Sequence, residues 1–295
     1  EIVDCDWSSD VCSSDLNIAS IIERLYDITD KIIVCNDGSS DRTSSIASRM
    51  GVEVIDHATN MGYGSAIWSI FDRARKSDCD ILVTFDADGQ HRVEDIHTVI
   101  TPVLNGDADI VIGSRFLNKK TKVPKYRKFG IKTITTLTNI MTNENISDSQ
   151  SGFRAYGKIA LDKLNLSEYG MGISTEILMK ASKLNLKIKE VPITVSYDGD
   201  TSTHNPVSHG ASVVLSTMKF ISIEHPLKFY GIPGIIFLGV GLFFTIWTID
   251  AFGSTHRIFT DIAIISVGTI LFGVILLITS ILLFSLVNVV REKRI

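Results

Sequence analysis

Two carboxylates separated by one residue, Asp86-Ala87-Asp88, close an apolar run at residues 80–85 that reads as a buried strand. Acidic side chains on a turn at the carboxyl end of a strand offer little to a fold. They suit a hard divalent cation, since Mg2+ is commonly bound through one or two carboxylates plus substrate phosphates. Gly89-Gln90-His91 follows, supplying a tight turn and one more oxygen donor. An Asp-x-Asp turn is a weak signal by itself, because Asp and Gly favour turns for conformational reasons alone. Its meaning depends on the elements that position it.

Those elements alternate. Residues 17–26 carry Ile18, Ile21, Ile22 and Leu25 on one helical face. Residues 31–35 read as a strand running into Asn36-Asp37-Gly38-Ser39-Ser40-Asp41, a turn whose Asp41 caps a helix starting near Arg42. A strand at 52–55, a helix at 64–75, the strand at 80–85, a helix at 93–104 and a strand at 109–112 follow, the last ending in Gly113-Ser114-Arg115. Strands alternating with helices predict a parallel α/β sheet. Ligands bind such sheets beyond the carboxyl ends of the strands. Asn36-Asp37, Asp86-x-Asp88 and Ser114-Arg115 all fall at such ends. A nicotinamide-binding fingerprint is excluded, because the pair Gly62 and Gly64 continues to Ile67 instead of a third glycine.

The chain of 295 residues has a net charge of −4, which excludes a generally basic nucleic-acid binder. Its four cysteines show no metal-ligand spacing and fit a reduced compartment. Mean hydropathy is +0.23, and the apolar excess lies near the C-terminus. Residues 229–249 and 262–290 contain no charge, and each exceeds the roughly 20 residues that cross a bilayer core. Arg291, Lys293 and Arg294 follow the second stretch, whereas the intervening loop sets only Arg257 against Asp250 and Asp261. The positive-inside rule therefore places the tail, and with it the large N-terminal part, in the cytoplasm. Residues 119–132 hold seven basic side chains and no acidic one, and run into a helical pattern of Ile131, Ile134, Leu137 and Met141. Beside two membrane spans this reads as a surface-lying element, each Lys or Arg contributing ~1 kcal/mol near an anionic leaflet. Val214, Met218 and Ile221, ahead of His225-Pro226, suggest a second surface helix. The expected organisation is an atypical segment at 1–16, a cytoplasmic domain at 17–210, an interface helix and linker at 211–228, spans at 229–249 and 262–290, and a basic tail at 291–295.

Five motifs occur in one order: Val34-Cys35-Asn36-Asp37-Gly38-Ser39-Ser40-Asp41-Arg42-Thr43, Asn60-Met61-Gly62-Tyr63-Gly64-Ser65-Ala66, Asp86-Ala87-Asp88-Gly89-Gln90-His91, Gly113-Ser114-Arg115-Phe116 and Ser151-Gly152-Phe153-Arg154-Ala155-Tyr156. From residue 17 onward the chain resembles family-two glycosyltransferases, in particular the branch that makes dolichyl- or polyprenyl-phosphate sugars. The resemblance implies a Rossmann-like GT-A domain followed by a two-helix transmembrane hairpin. It implies a UDP- or GDP-linked sugar donor, a polyprenyl or dolichyl phosphate acceptor, the lipid bilayer as partner and Mg2+ or Mn2+ as cofactor; self-association is compatible with it. By that resemblance Asp37 and Gly38 meet the nucleotide base, Asp86 lies at the ribose, and Asp88 with Gln90 ligates the metal. Arg115 and Arg154 match positions lining the phosphate and acceptor side, and Arg127 lies in the stretch that faces the lipid phosphate. The segment Tyr197-Asp198-Gly199-Asp200-Thr201-Ser202 lies where relatives carry an active-site loop, and is equally readable as a plain surface loop.

Elementary chemistry agrees. A sugar–diphosphate bond breaks with charge accumulating on the departing diphosphate, which a bound cation stabilises without a proton donor. A phosphate acceptor is already anionic and needs no base, but needs cationic residues to approach a second anion. A hydroxyl acceptor would need a base, for which Asp148 is the candidate; with a phosphate acceptor Asp148 orients an arginine or the acceptor. Direct displacement inverts the anomeric centre. Two departures weigh against a complete site. Residues 1–16 carry no Pro-Ala-Tyr-Asn-Glu-like motif and hold a near-duplication, Ser8-Ser9-Asp10 and Ser13-Ser14-Asp15. The first strand and its nucleotide contacts are therefore expected to be missing. A transferase to saccharide hydroxyls, and a nucleotide-sugar-binding membrane subunit inactive through its altered N-terminus, stand as the alternatives. A processive polysaccharide synthase is disfavoured because no Gln-x-x-Arg-Trp motif occurs.

Overall fold

The computed structural model describes residues 2–6, 14–118, 123, 125–196, 218, 222, 225–255 and 259–292, with side chains at 2–6, 14–16, 125–127, 288 and 290–292 outside the description. The chain divides into two compact units, Glu1–Thr217 and Met218–Ile295.

In the first unit β1 (Ile2–Asp6), β2 (Ile32–Asn36), β3 (Glu53–Asp56), β4 (Ile81–Asp86), β5 (Ile110–Ser114), β6 (Arg154–Gly157) and β7 (Ile188–Pro192) form one sheet in the order β3-β2-β1-β4-β6-β5-β7. Its helices are α1 (Ser14–Tyr26), α2 (Thr43–Arg49), α3 (Tyr63–Lys76), α4 (Ile96–Leu104), α5 (Lys125–Thr142), α6 (Lys158–Lys163) and α7 (Ile173–Lys183). Every residue of β2 and β5 is buried, as expected for strands covered on both faces. Alternate residues feed two cores. Val34, Val83, Phe85 and Val111 pack with Ile18, Ile22 and Val99 on one face. Ile33, Leu82 and Ile110 pack with Phe71, Tyr156 and Ile177 on the other. Phe71 meets Tyr156 edge-on at 4.8 Å, and each such side chain contributes roughly 1.5–3 kcal/mol by leaving water.

Two sequence expectations are corrected. The sheet is mixed, because β6 runs antiparallel to both neighbours, β4 and β5. The chain leaves β5 at its carboxyl end and re-enters the sheet from that same edge. Arg154 therefore lies opposite Thr84 and Ile112, and Gly152 is delivered beside Asp86. The first strand is present: Ile2–Asp6 pairs parallel with β2, from Ile2↔Ile32 to Asp6↔Asn36, and with β4, from Ile2↔Val83 to Cys5↔Asp86. It lies between β2 and β4, inside the sheet, without the motif expected at its end.

In the second unit a turn of π-helix, Leu227–Gly231, leads into α8 (Ile232–Thr255), and α9 (Thr260–Glu292) follows. Among the described residues these are two helices long and apolar enough to cross a membrane, with mean hydropathies of 2.1 and 2.9 in 18-residue windows of Leu227–Ser254 and Thr260–Val287. They meet along small residues: a Cβ on Gly241 would lie 2.5 Å from Ile270 Cγ1, and one on Gly273 would lie 2.9 Å from the Leu238 nitrogen. Such residues let apolar helices approach closely without a hydrophobic drive. Hydroxyls at the seam are bonded inward, Ser266 Oγ to Thr245 Oγ1 at 2.6 Å and Ser280 Oγ to the Pro226 carbonyl at 3.2 Å. Both arrangements suit a lipid-facing pair. Most of the expected interface helix at 211–228, and the segment from Tyr197 to Ser202, lie outside the described residues.

Candidate active site

Asp86 is the last residue of β4, and the chain turns sharply after it. Asp88 Oδ1 accepts the Gln90 N–H at 2.9 Å, while Gly89 takes the left-handed φ of +73° that this turn requires. Opposite stands Gly152, where a Cβ would come within 2.7 Å of Asp86 Oδ2 and 2.9 Å of Tyr63 Oη. Only glycine lets the carboxylate and the phenol converge there. Thr84 Oγ1 secures this approach by donating to the Gly152 carbonyl at 2.6 Å. Desolvation at the sheet edge, and then the charge of Asp88, push the Asp86 carboxyl up to about 7 against the pull of Arg115 and Arg154. His91 Nδ1 lies 3.8 Å from Asp86. Its ring packs on Phe85 and Phe153 at 5.6 and 5.3 Å. Burial, and then the Arg115 charge, lower His91 to about 3, so it is a neutral packing group.

Arg115 follows the end of β5. Its Nε and Nη2 donate to Asp148 at 2.7 and 2.8 Å, and its main-chain N–H donates to the same carboxylate at 3.1 Å. Asp148 is fully buried and wholly committed to this fork. Arg154, the other arginine expected to line the phosphate side, is placed differently. It is 1% exposed, and its guanidinium donates to the carbonyls of Ser151, Ser149 and Ser174 at 2.8, 2.7 and 3.3 Å. It begins a strand inside the sheet, so its head turns back to pin the loop that precedes it. Arg127 belongs to α5, but its side chain lies outside the described residues.

Asp37, at the end of β2, is also saturated. Its oxygens accept the N–H groups of Met61 and Gly62 at 2.9 and 2.7 Å, and Oδ1 meets His57 Nδ1 at 2.6 Å. His57 Nε2 reaches Ser69 Oγ of α3 at 2.9 Å. Gly38, with φ +74°, lies so close to Thr59 and Asn60 that a Cβ would come within 2.5 Å of their main chain. Asp37 and Gly38 thus clamp the 57–62 loop that starts α3 and carries Tyr63 to the rim of the Asp86 turn. Asp41 accepts the Thr43 N–H at 3.0 Å, but the cap position expected of it falls to Arg42, which makes no side-chain cap bond. His57, Tyr63 and Gly152 were not among the expected site residues. The signal for His57 was positional: it directly follows β3, at the same sheet edge as Asp37.

Comparison with known proteins agrees with this architecture. The family model described as Glycosyl transferase family 2 matches residues 16–164. The chain belongs to glycosyl transferase family 2. Among relatives of this family-two enzyme, the UDP-N-acetylglucosamine–dolichyl-phosphate N-acetylglucosaminyltransferase of Methanococcus voltae is 34% identical over 214 residues, 65% of this chain and 82% of that one. The polyprenol monophosphomannose synthase of Mycolicibacterium smegmatis is 30% identical over 191 residues, 60% and 72% of the two chains. In fold the chain resembles glucosyl-3-phosphoglycerate synthase from Mycobacterium tuberculosis, solved with Mn2+ and UDP, at a TM-score of 0.57 and 17% identity over 75% and 78% of the two chains. The fold is therefore that of a GT-A glycosyltransferase.

The Asp86 turn of this glycosyltransferase fits a divalent cation. Desolvation raises the Asp86 carboxyl and the charge of the neighbouring Asp88 raises it further, so a cation placed beside the two acids would favour their ionised forms. Among the described residues no three His, Cys, Asp or Glu gather into a closed metal cage. The carboxylates of Asp86 and Asp88 are oxygen donors of the kind that Mg2+ takes together with substrate phosphates.

Proposed function

We propose that this family-two glycosyltransferase moves a hexose from a nucleotide sugar to a polyprenyl phosphate, with inversion, at a membrane surface. The observation that carries the reading is the bidentate pairing of Asp148 with Arg115. Asp148 is the acid best placed by sequence to activate a hydroxyl, yet it is buried and neutralised by a guanidinium. The neutral His91 is enclosed among Phe85 and Phe153. Neither Asp148 nor His91 is available as the base a hydroxyl acceptor needs, whereas a phosphate monoester attacks without one. Relatives named for dolichyl- and polyprenyl-phosphate products support the same acceptor class.

In this reading Asp88 and Gln90 hold Mg2+ or Mn2+. A cation held there would supply positive charge to the departing diphosphate. Asp86 takes the ribose side, and Asp37 with Gly38 shapes the nucleotide end by clamping the 57–62 loop. Arg115 draws the two phosphates together, and Arg127 meets the acceptor from α5. Arg154 acts indirectly, by holding the Ser149–Ser151 main chain against which Asp86 rests. In-line attack on an α-linked donor yields a β-linked lipid-phosphate sugar. Residues 229–249 and 262–290 anchor the chain, with the catalytic domain and tail cytoplasmic.

The test incubates membranes containing the full chain with labelled UDP-glucose, UDP-N-acetylglucosamine or GDP-mannose and a polyprenyl phosphate. Lipid-linked product that forms only with Mg2+ or Mn2+, while simple alcohols and saccharides stay unmodified, is the expected result. Transfer to a hydroxyl acceptor with none to the lipid phosphate refutes the proposal.

A further inference from the structure

Behind the Arg115–Asp148 pair stands a second acid. Glu190 lies on β7, in register with Ile112 of β5. Its Oε2 accepts the N–H of Ser147 at 2.8 Å and its Oε1 accepts that of Asp148 at 2.9 Å. Ser147 Oγ is also joined to Ser114 Oγ, at the end of β5, at 2.7 Å. A continuous line of charge-assisted bonds thus runs from the edge strand through the 147–148 main chain to the guanidinium. Its neighbour Lys189 is exposed and pairs with Asp107, an ordinary surface bridge for an edge strand. Glu190 instead is half-buried and spends both oxygens on the main chain of the segment that carries Asp148. Holding these two N–H groups with an acid, where a neutral acceptor would serve, adds a second negative charge to the segment that carries Asp148. Closing a turn does not call for it. Fixing the direction of a guanidinium does, because two successive N–H groups held by one rigid carboxylate leave the following side chain a single orientation.

We infer that Glu190 is a positioning residue for the transfer reaction: it holds the Ser147–Asp148 main chain so that Asp148 presents Arg115 to the reacting phosphates. The inference rests on the reading of Arg115 as a phosphate-contacting residue. A displacement of about 1 Å in such a group costs on the order of a hundredfold in rate.

The experiment is a double-mutant cycle on the full chain in membranes, using the nucleotide sugar that turns over and a polyprenyl phosphate. Wild type, Glu190→Gln, Arg115→Ala and the double variant are compared for kcat and KM, for nucleotide diphosphate binding and for the thermal unfolding midpoint. Glu190→Gln is expected to lower kcat/KM for the acceptor by roughly tenfold to a hundredfold, with nucleotide affinity and midpoint near those of wild type. In the Arg115→Ala background the same change is expected to cost nothing more, since the group it positions is gone. If Glu190→Gln unfolds, Glu190→Asp, one methylene shorter with its charge kept, goes through the same cycle. Loss in Arg115→Ala with additive costs overturns this inference alone. Full activity of Arg115→Ala overturns the reading of Arg115 and this inference together.

Discussion

Two acidic turns stand at the same edge of one sheet, two strands apart, and they are built in opposite ways. Asp37 ends the turn after β2 with both oxygens occupied by two N–H groups and a histidine, and it is 3% exposed. Asp86 ends β4 and Asp88 follows in the turn; desolvation, and then the charge of Asp88, raise the Asp86 carboxyl to about 7. A carboxylate satisfied by fixed donors belongs to the architecture. A carboxyl raised by desolvation and by a neighbouring acid is one that a bound cation would stabilise. Residue type and sheet position are alike in the two turns, so only the partners tell structure from chemistry.

The largest effect expected is on activity at the second turn. Asp88→Asn should reduce lipid-linked product by about 10²–10³-fold, the scale for losing an electrostatic stabiliser of a developing charge, with the unfolding midpoint preserved. Equal product from both proteins would remove Asp88 from the metal assignment. Stability should respond at the first turn instead. Asp37→Ala strips acceptors from two buried N–H groups and from His57, for a cost of about 3 kcal/mol, read as a drop in midpoint. Asp86→Asn at pH 8 should leave the midpoint equal or raised, because it removes a charge that the fold disfavours. A midpoint loss in Asp86→Asn as large as that of Asp37→Ala would break the comparison. Smaller still is Gly152→Ala: the added methyl meets Asp86 Oδ2 at 2.7 Å, and displacing it should cost about 1–3 kcal/mol together with part of the transferase rate.

The strand alternation and the placing of Asp37, Asp86-x-Asp88 and Arg115 at carboxyl ends were legible because they follow from local periodicity and turn chemistry. The two long apolar helices were legible for the same reason. What was not legible depends on pairing across distance. The four residues of β6 are too few to announce a strand, and nothing local says that they run antiparallel between β4 and β5. Once they do, Arg154 is carried inside, and its partners are carbonyls at 149, 151 and 174, the last of them on another element. An arginine in a motif reads as a phosphate contact until its depth is known. The saturation of Asp37 was hidden likewise, since its partners are 20 to 25 residues away and meet it only through the turn after β3. Ile2–Asp6, five residues in an atypical segment, shows as a strand only through its register with β2 and β4.

The smallest predicted effect separates two titrations that mask each other. Asp86 has a folded value near 7 against an ordinary 3.8, so the folded chain binds more protons than the unfolded one between those limits, and stability falls as pH rises through that window. His91 has a folded value near 3 against an ordinary 6.5, so the unfolded chain binds more protons, and stability rises with pH between those limits. The windows overlap from 3.8 to 6.5, where the two slopes oppose. Denaturation of the full chain in detergent with a chelator present should therefore reveal little dependence on either group across that range. Asp86→Asn should expose a stability that climbs with pH, and His91→Phe one that declines until about pH 7. A His91→Phe profile without that decline would mean that Asp86 is ionised throughout, and that the two acids of the turn after β4 do not oppose one another.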